Sequence, residues 1–381
     1  MLTPSARMTA LAGLAALAVA MGIGRFAFTP ILPMMQEESG LSVAGGAWLA
    51  AANYLGYLAG ALSVIRMRMQ PSFAIRAGLV VIGVSTLAMG MEQPFLLLVV
   101  LRAVAGITSA WVLVFVSAWA LERLAHLGRS GLGGAVYAGV GAGIVIAGGA
   151  CLLVMSVHGR SAEAWFTLGA VSLVIAAAIW PVLPSSLQGP APAAMQPMRW
   201  KAGHWSLVLC YGAYGFGYII PATFLPAMAK AVVQDPQLFG WAWPLFGAAA
   251  VLSTILAARL ERYLSHRAVW AASQIIMAIG VVTPLFIPGL TGILLAALLV
   301  GGTFVVVTMA GMQEARKVMG PNSRALMAAM TAAFALGQIL GPLAVSLLVR
   351  SGGDFSPALI LAAAMLVASA LLLQRRETVH A

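Results

Sequence analysis

Apolar residues run along this chain in blocks of about twenty to twenty-five, interrupted by short polar or Gly/Pro-rich breaks. At 1.5 Å rise per residue each block is long enough to cross a hydrocarbon layer roughly 30 Å thick. The pattern predicts twelve helical spans, at 9–34, 46–65, 72–91, 94–119, 133–157, 165–183, 205–228, 240–260, 267–287, 290–312, 325–349 and 356–373. The first block, with Arg7 ahead of it and an Ala18-Val19-Ala20 triplet inside it, imitates a secretory signal and its cleavage site. Its apolar run continues through Pro33, however, so it reads as a spanning helix. The longest polar, Pro-rich stretch lies between spans six and seven. It divides the chain into a six-helix bundle at 1–183, a cytoplasmic linker at 184–204 and a second six-helix bundle at 205–381.

Composition agrees with a membrane protein: 62% of residues are hydrophobic and 8% charged, with a mean hydropathy of +0.99. The net charge of +11 would suit nucleic acid in a soluble protein, but here the cations lie in short loops, where they orient the chain instead. With the N-terminus inside, Arg160, Lys230 and Arg350 are the basic residues left outside, and Arg25 and Arg102 fall within spans. All other Lys and Arg are inside, which places both termini in the cytoplasm of a multi-pass inner-membrane protein.

An internal repeat supports the division. Sliding the chain by 193 residues lays "MGIGRFAFTPILPMM" (Met21 to Met35) over "YGFGYIIPATFLPAM" (Tyr214 to Met228), matching Gly22, Gly24, Pro33 and Met35 with Gly215, Gly217, Pro226 and Met228; Trp48 then falls on Trp241 and Arg66 on Arg259. Arg25 aligns with Tyr218. Span four carries "LRAVAG", with Arg102 and Gly106; span eleven carries Gly337, Gly341 and Pro342 in "LGQILGP"; span five carries Gly139, Gly143 and Gly148 in "AGVGAGIVIAGG". On these motifs the chain resembles the major facilitator superfamily over its whole length, and its Gly-Ile-Gly-Arg-Phe start resembles the bacterial YbfB/YjiJ-like subgroup. Two parallel six-helix repeats with substrate held between them are the plan of that superfamily. Two departures stand out. Ile144 replaces the proline of the antiporter motif, and the loop after span two keeps Gly60, Arg66 and Arg68 but lacks the expected aspartate.

Arg25 and Arg102 are the sharpest candidates for function, because intramembrane charges are costly and usually face cavities. Both lie eight or nine residues from the outer ends of their spans, and so in one layer roughly 12–14 Å deep. All ten acidic residues fall outside the predicted spans. A guanidinium keeps its proton and forks onto a carboxylate or phosphate, so the missing anion is read as substrate. The alternative has each arginine bonding backbone carbonyls, those of Phe26 and Thr29 having lost donors to Pro30 and Pro33. This alternative is favoured for Arg102 and the substrate or gating role for Arg25. The resemblance implies that spans one, four, seven and ten line the cavity. There Tyr211, Tyr214 and Tyr218 share one face of span seven, and Trp111, Phe115 and Trp119 one face of span four. Asn53 and Gln338 are further polar candidates. Gly22, Gly24, Gly56, Gly60, Gly106, Gly139, Gly143 and Gly148, with the span-eleven Gly337, Gly341 and Pro342 and the span-one Pro30 and Pro33, read as packing or gating positions, since small residues let helices approach closely in lipid. Trp48, Trp165, Trp205 and Trp241, at span ends, read as interfacial anchors.

The five histidines lie in loops or tails, and Cys151 and Cys210 sit in separate spans, so neither a metal site nor a disulfide is expected, nor any cofactor. The 20 methionines are scattered, as apolar filler is. The spans lack the acidic clusters or Ser/His and Asp pairs that intramembrane enzymes need. The expectation is an all-α membrane protein, monomeric in its bilayer, that carries a small organic anion by alternating access. The competing expectation is an efflux antiporter for neutral or hydrophobic compounds, with the arginines structural.

Overall fold

The computed structural model describes residues 5–66, 70–183, 200–232, 236–348 and 356–375, and among these the side chains of all but 223–232, 236–240, 321, 346 and 375. Linker residues 184–199, Arg68, Asp235, Arg350, Asp354 and the tail residues Arg376, Glu377 and His380 lie outside this set, as do the side chains of Pro226, Met228 and Lys230.

Among the described residues the chain forms twelve long helices and no strand. They are α1 (Ala6–Ser39), α2 (Val43–Arg66), α3 (Pro71–Met89), α4 (Phe95–His126), α5 (Gly133–Ser156), α6 (Ser161–Ile179), α7 (Ala202–Val232), α8 (Pro236–Leu260), α9 (His266–Phe286), α10 (Gly289–Met319), α11 (Ser323–Leu348) and α12 (Ser356–Arg375). Eleven of these carry a window apolar enough to cross a membrane; the remaining helix, α7, corresponds to predicted span seven. Large apolar side chains such as Leu55, Val84, Leu96, Leu252 and Leu298 are exposed. An apolar exterior on this scale would be unstable in water and suits lipid.

The neighbours of each helix follow the internal repeat. In the first six, α1 packs on α5, α2 on α4, and α3 on α4 and α6; in the second six, α7 packs on α11, α8 on α10, and α9 on α10 and α12. Contacts between the halves run chiefly through α5 with α8 and α2 with α11.

Glycines set how closely these helices approach. A Cβ added at Gly56 or Gly60 would enter the backbone of α4 at Ala103 or Ile107, and one at Gly106 would enter α2 at Asn53. Gly22 and Gly143 face each other where α1 meets α5, Gly139 meets Leu14, and Gly337 and Gly341 meet α7. Gly148 abuts Pro244 between the halves. One such contact was not anticipated: Gly141 and Gly247 meet at the centre of the α5–α8 crossing.

Three expectations are corrected. Trp165 is no interfacial anchor but is 2% exposed, packed in a cluster with Ile31, Met35 and Leu168; Trp48, Trp205 and Trp241 are indeed exposed. Helices α4 and α10 run past their predicted ends, to His126 and Met319. Glu122 and Glu314 are therefore helical rather than in loops, because a helix continues into polar sequence wherever no breaker intervenes. Glu314 is 3% exposed and accepts a hydrogen bond from Arg267 Nε at 2.5 Å. Of the histidines expected in loops or tails, His204 stands in the first turn of α7 and is buried, His126 ends α4 and His266 begins α9.

Candidate functional site

The site begins with an irregularity in α1. Ala18–Ile23 is wound as a π-helix, and the wide register persists through Gly24 N to Val19 O and Phe26 N to Met21 O. A turn at 24–27 follows before regular helix resumes at Phe28. Here Thr29 N donates to Phe26 O, so the carbonyl of Arg25, which an unbroken α-helix would pair with that amide, needs another donor. Helix α4 supplies it. Arg102 donates from Nη1 to Gly24 O at 3.3 Å and from Nη2 to Arg25 O at 3.4 Å, and Ser109 Oγ donates to Ala20 O at 2.8 Å. Arg102 thus caps carbonyls, as its alternative reading held, but those of Gly24 and Arg25 rather than Phe26 and Thr29. These bonds also place the two arginines in one layer. Asn53 Nδ2 donates to Arg102 O at 3.0 Å, tying α2 to the same layer.

Arg25 is differently placed. Its side chain is 4% exposed and leaves its own half, Nη2 donating to Gln338 Oε1 of α11 at 2.6 Å. Its guanidinium lies 3.8 Å from the centroid of the Tyr57 ring, with Phe26, Tyr54 and Phe334 at 5.6–5.9 Å. Ring faces stabilise a desolvated cation by about 1–2 kcal/mol each at best, which lessens the cost of burial without neutralising the charge. Nε and Nη1 of Arg25, Nε2 of Gln338, Oδ1 of Asn53 and Nε of Arg102 are buried and make no hydrogen bond. Buried polar groups are nearly always paired, so these atoms, carried by α1, α2, α4 and α11, are the ones a ligand could satisfy.

The sequence profile described as "Uncharacterised MFS-type transporter YbfB" matches residues 17–374. The chain belongs to this family of major facilitator transporters. It is thus a multi-pass membrane transporter with a small-molecule substrate. No curated protein matches it in sequence. Solved structures share its fold: the human organic anion transporter MFSD10 (TETRAN), at 15% identity and TM-score 0.77, over 98% of this chain and 100% of that one; and the transporter FucP in its outward conformation, at 13% identity and TM-score 0.70, over 96% and 98%.

The other sequence candidates of this MFS-type transporter divide into two groups. Tyr218, the repeat partner of Arg25, is stacked on Phe304 at 5.2 Å and near Phe334 at 6.3 Å, so both repeat mates meet the same α11 ring. Tyr214 donates to Phe304 O at 2.7 Å, and Tyr211 packs on Tyr214, Trp270 and Phe334, both inside the second half. Trp111 and Phe115 are not brought to Arg25. They stand roughly two and a half and three and a half turns beyond Arg102, where Trp111 Nε1 donates to Ser63 Oγ at 2.8 Å and Phe115 lies under the Arg324 guanidinium. Sequence reasoning missed Phe26, Tyr57, Trp243, Phe304 and Phe334. A signal existed for Tyr57 alone, one helical turn after Asn53; the other rings are spread over four helices and share no spacing.

A concavity of about 380 Å³ opens away from this layer, near the starts of α5 and α9, lined by Ser130, Gly131, Glu261, Arg262, His266 and Arg316 among others. Its acids are already paired: Glu261 with His266 at 3.0 Å, and Glu314 nearby with Arg267.

Proposed function

We propose that this transporter moves a small organic anion of carboxylate type across the bacterial inner membrane, by alternating access between the bundles 1–183 and 205–381, with the 184–204 linker and both termini in the cytoplasm. It works as a monomer in the bilayer. Arg25 binds the anion, Gln338 and Asn53 complete the polar layer, Tyr218 borders it, and Arg102 positions the turn from which Arg25 projects.

The observation that carries this reading is a buried guanidinium with two unpartnered N–H-bearing nitrogens and a neutral partner, Gln338, on the opposite half. A carboxylate entering here would fork onto Arg25 in the bidentate geometry that guanidinium favours. It would also accept from Gln338 Nε2 and so touch both halves at once. A ligand that bridges the halves has different contacts in each access state, and that difference lets it shift the equilibrium between them.

Thermal-shift titration of the purified protein with carboxylates and their neutral amides tests the reading, because a ligand stabilises the state it binds. Carboxylates should raise the melting temperature and amides should not. Arg25→Lys should lose tenfold or more in affinity despite keeping its charge, and Arg25→Ala more. If both variants bind as the native protein does, the arginines are structural and the neutral-efflux reading takes over.

A further inference from the structure

The unpartnered groups of the central layer do not end at Arg25. From Phe26, beside it in sequence, aromatic rings continue into the second half: Phe26 meets Phe304 edge-on at 5.9 Å and Trp243 at 6.5 Å, Trp243 lies parallel to Phe246 at 5.3 Å, and Phe246 stacks on Phe304 at 5.2 Å. The rings at the back of this group are sealed, Phe304 being 3% and Tyr218 1% exposed. Phe26, Trp243 and Phe246 are only partly buried. Trp243 Nε1 is itself buried without a hydrogen-bond partner, although a buried indole N–H usually finds one.

The anionic end offers a single fork. Both terminal nitrogens of Arg102, the other cation of this layer, are taken by the carbonyls of Gly24 and Arg25, so Arg25 carries the fork left for an anion. A second carboxylate or a phosphate dianion would find no second fork here, and its further oxygens would be buried without donors, at a cost.

We propose that the site selects an aromatic monocarboxylate. Its carboxylate lies on Arg25 and Gln338, its ring packs on the partly exposed faces of Phe26 and Trp243, and Trp243 Nε1 donates to a polar substituent on the ring. This rests on the anion reading above and narrows it. Phe26 and Trp243 are the partly exposed faces of this group, and a flat ring stacks on them in place of their contact with one another, whereas a puckered aliphatic ring presents no π-face to them. Specificity then comes from rings contributed by both halves, Phe26 on α1 and Trp243 on α8.

The test compares phenylacetate, 4-hydroxyphenylacetate, cyclohexylacetate, succinate and phenylacetamide on the purified full-length protein, by thermal shift and by tritiated phenylacetate binding. Phenylacetate should bind at least tenfold more tightly than cyclohexylacetate, 4-hydroxyphenylacetate more tightly again, and succinate and phenylacetamide negligibly. Phe26→Leu and Trp243→Leu should shrink the aromatic preference to threefold or less while leaving carboxylate binding in place, and Trp243→Phe should remove only the hydroxyl advantage. Equal binding of cyclohexylacetate and phenylacetate sinks the aromatic proposal and leaves the anion reading standing. Equal binding of phenylacetamide, or no binding by any aromatic acid, overturns the aromatic proposal, and the amide result removes the anion reading with it.

Discussion

At the scale of the residue, the two intramembrane arginines have opposite settings despite sharing a layer. Arg102 is spent on the backbone of α1, and its role is to hold the turn at 24–27. Arg102→Ala should therefore destabilise the protein by on the order of 2–4 kcal/mol, the loss of two charge-assisted bonds and the exposure of two carbonyls. It should do so with or without ligand. Differential scanning calorimetry checks this: a melting temperature unchanged within a degree would mean that the carbonyls do not need Arg102. Both arginines were legible in the sequence because charge in an apolar block is conspicuous. Their partners were not. Arg25 and Gln338 stand 313 positions apart, and nothing in local spacing says that Gln338 rather than another polar residue meets it. The alternative reading named the right chemistry for Arg102 and the wrong carbonyls, because it assumed regular helix up to Pro30 and the chain departs from it twelve residues earlier, at Ala18.

At the scale of the element, spans, glycine contacts and the repeat could be read from periodicity, since each depends on residues near one another in the chain. The π-helical stretch could not, because no proline or polar residue interrupts Ala18–Ile23. It is built by the neighbours, through Ser109 and Arg102 on α4 and the close approach of Gly143 on α5. Wide turns of this kind mark functional sites often, and here the effect is geometric. Deleting Ala20 would let the segment close into ordinary α-helix, pairing within α1 the carbonyls that Ser109 and Arg102 now hold and narrowing the turn that carries Arg25. The expected result is a folded, monodisperse protein with native helicity by circular dichroism but without ligand-induced thermal shift, because Arg25 no longer points at Gln338. Retained binding in the deletion variant would show that the wide turn does not aim the side chain.

At the scale of the whole molecule, the distribution of carboxylates bears on how transport is driven. Proton-coupled carriers commonly relay the proton through an intramembrane Asp, Glu or His. Among the described residues, Glu314 is the acid buried within a helix, and it is tied to Arg267 at the far end of α10 from the Arg25 layer. We therefore propose exchange, uniport, or symport in which the proton rides on the substrate's own acid group. In proteoliposomes an imposed pH gradient should drive accumulation of a carboxylate but not of a transported solute without a titratable group. Proton-driven uptake of such a solute, abolished by changing Glu37, Glu38, Glu122 or Glu314 to Gln, would establish a protein-borne proton. The same vesicles can carry an imposed voltage, and there the unneutralised guanidinium of Arg25 has a further consequence. Loaded with a monoanion the central layer keeps the charge of Arg102 alone; unloaded, it carries those of Arg25 and Arg102 both, and the field acts on each by about 2.3 kcal/mol per 100 mV for a full crossing. An interior-negative potential would then draw the vacant carrier inward more strongly than the occupied one, so that the return without cargo is the step more sensitive to voltage.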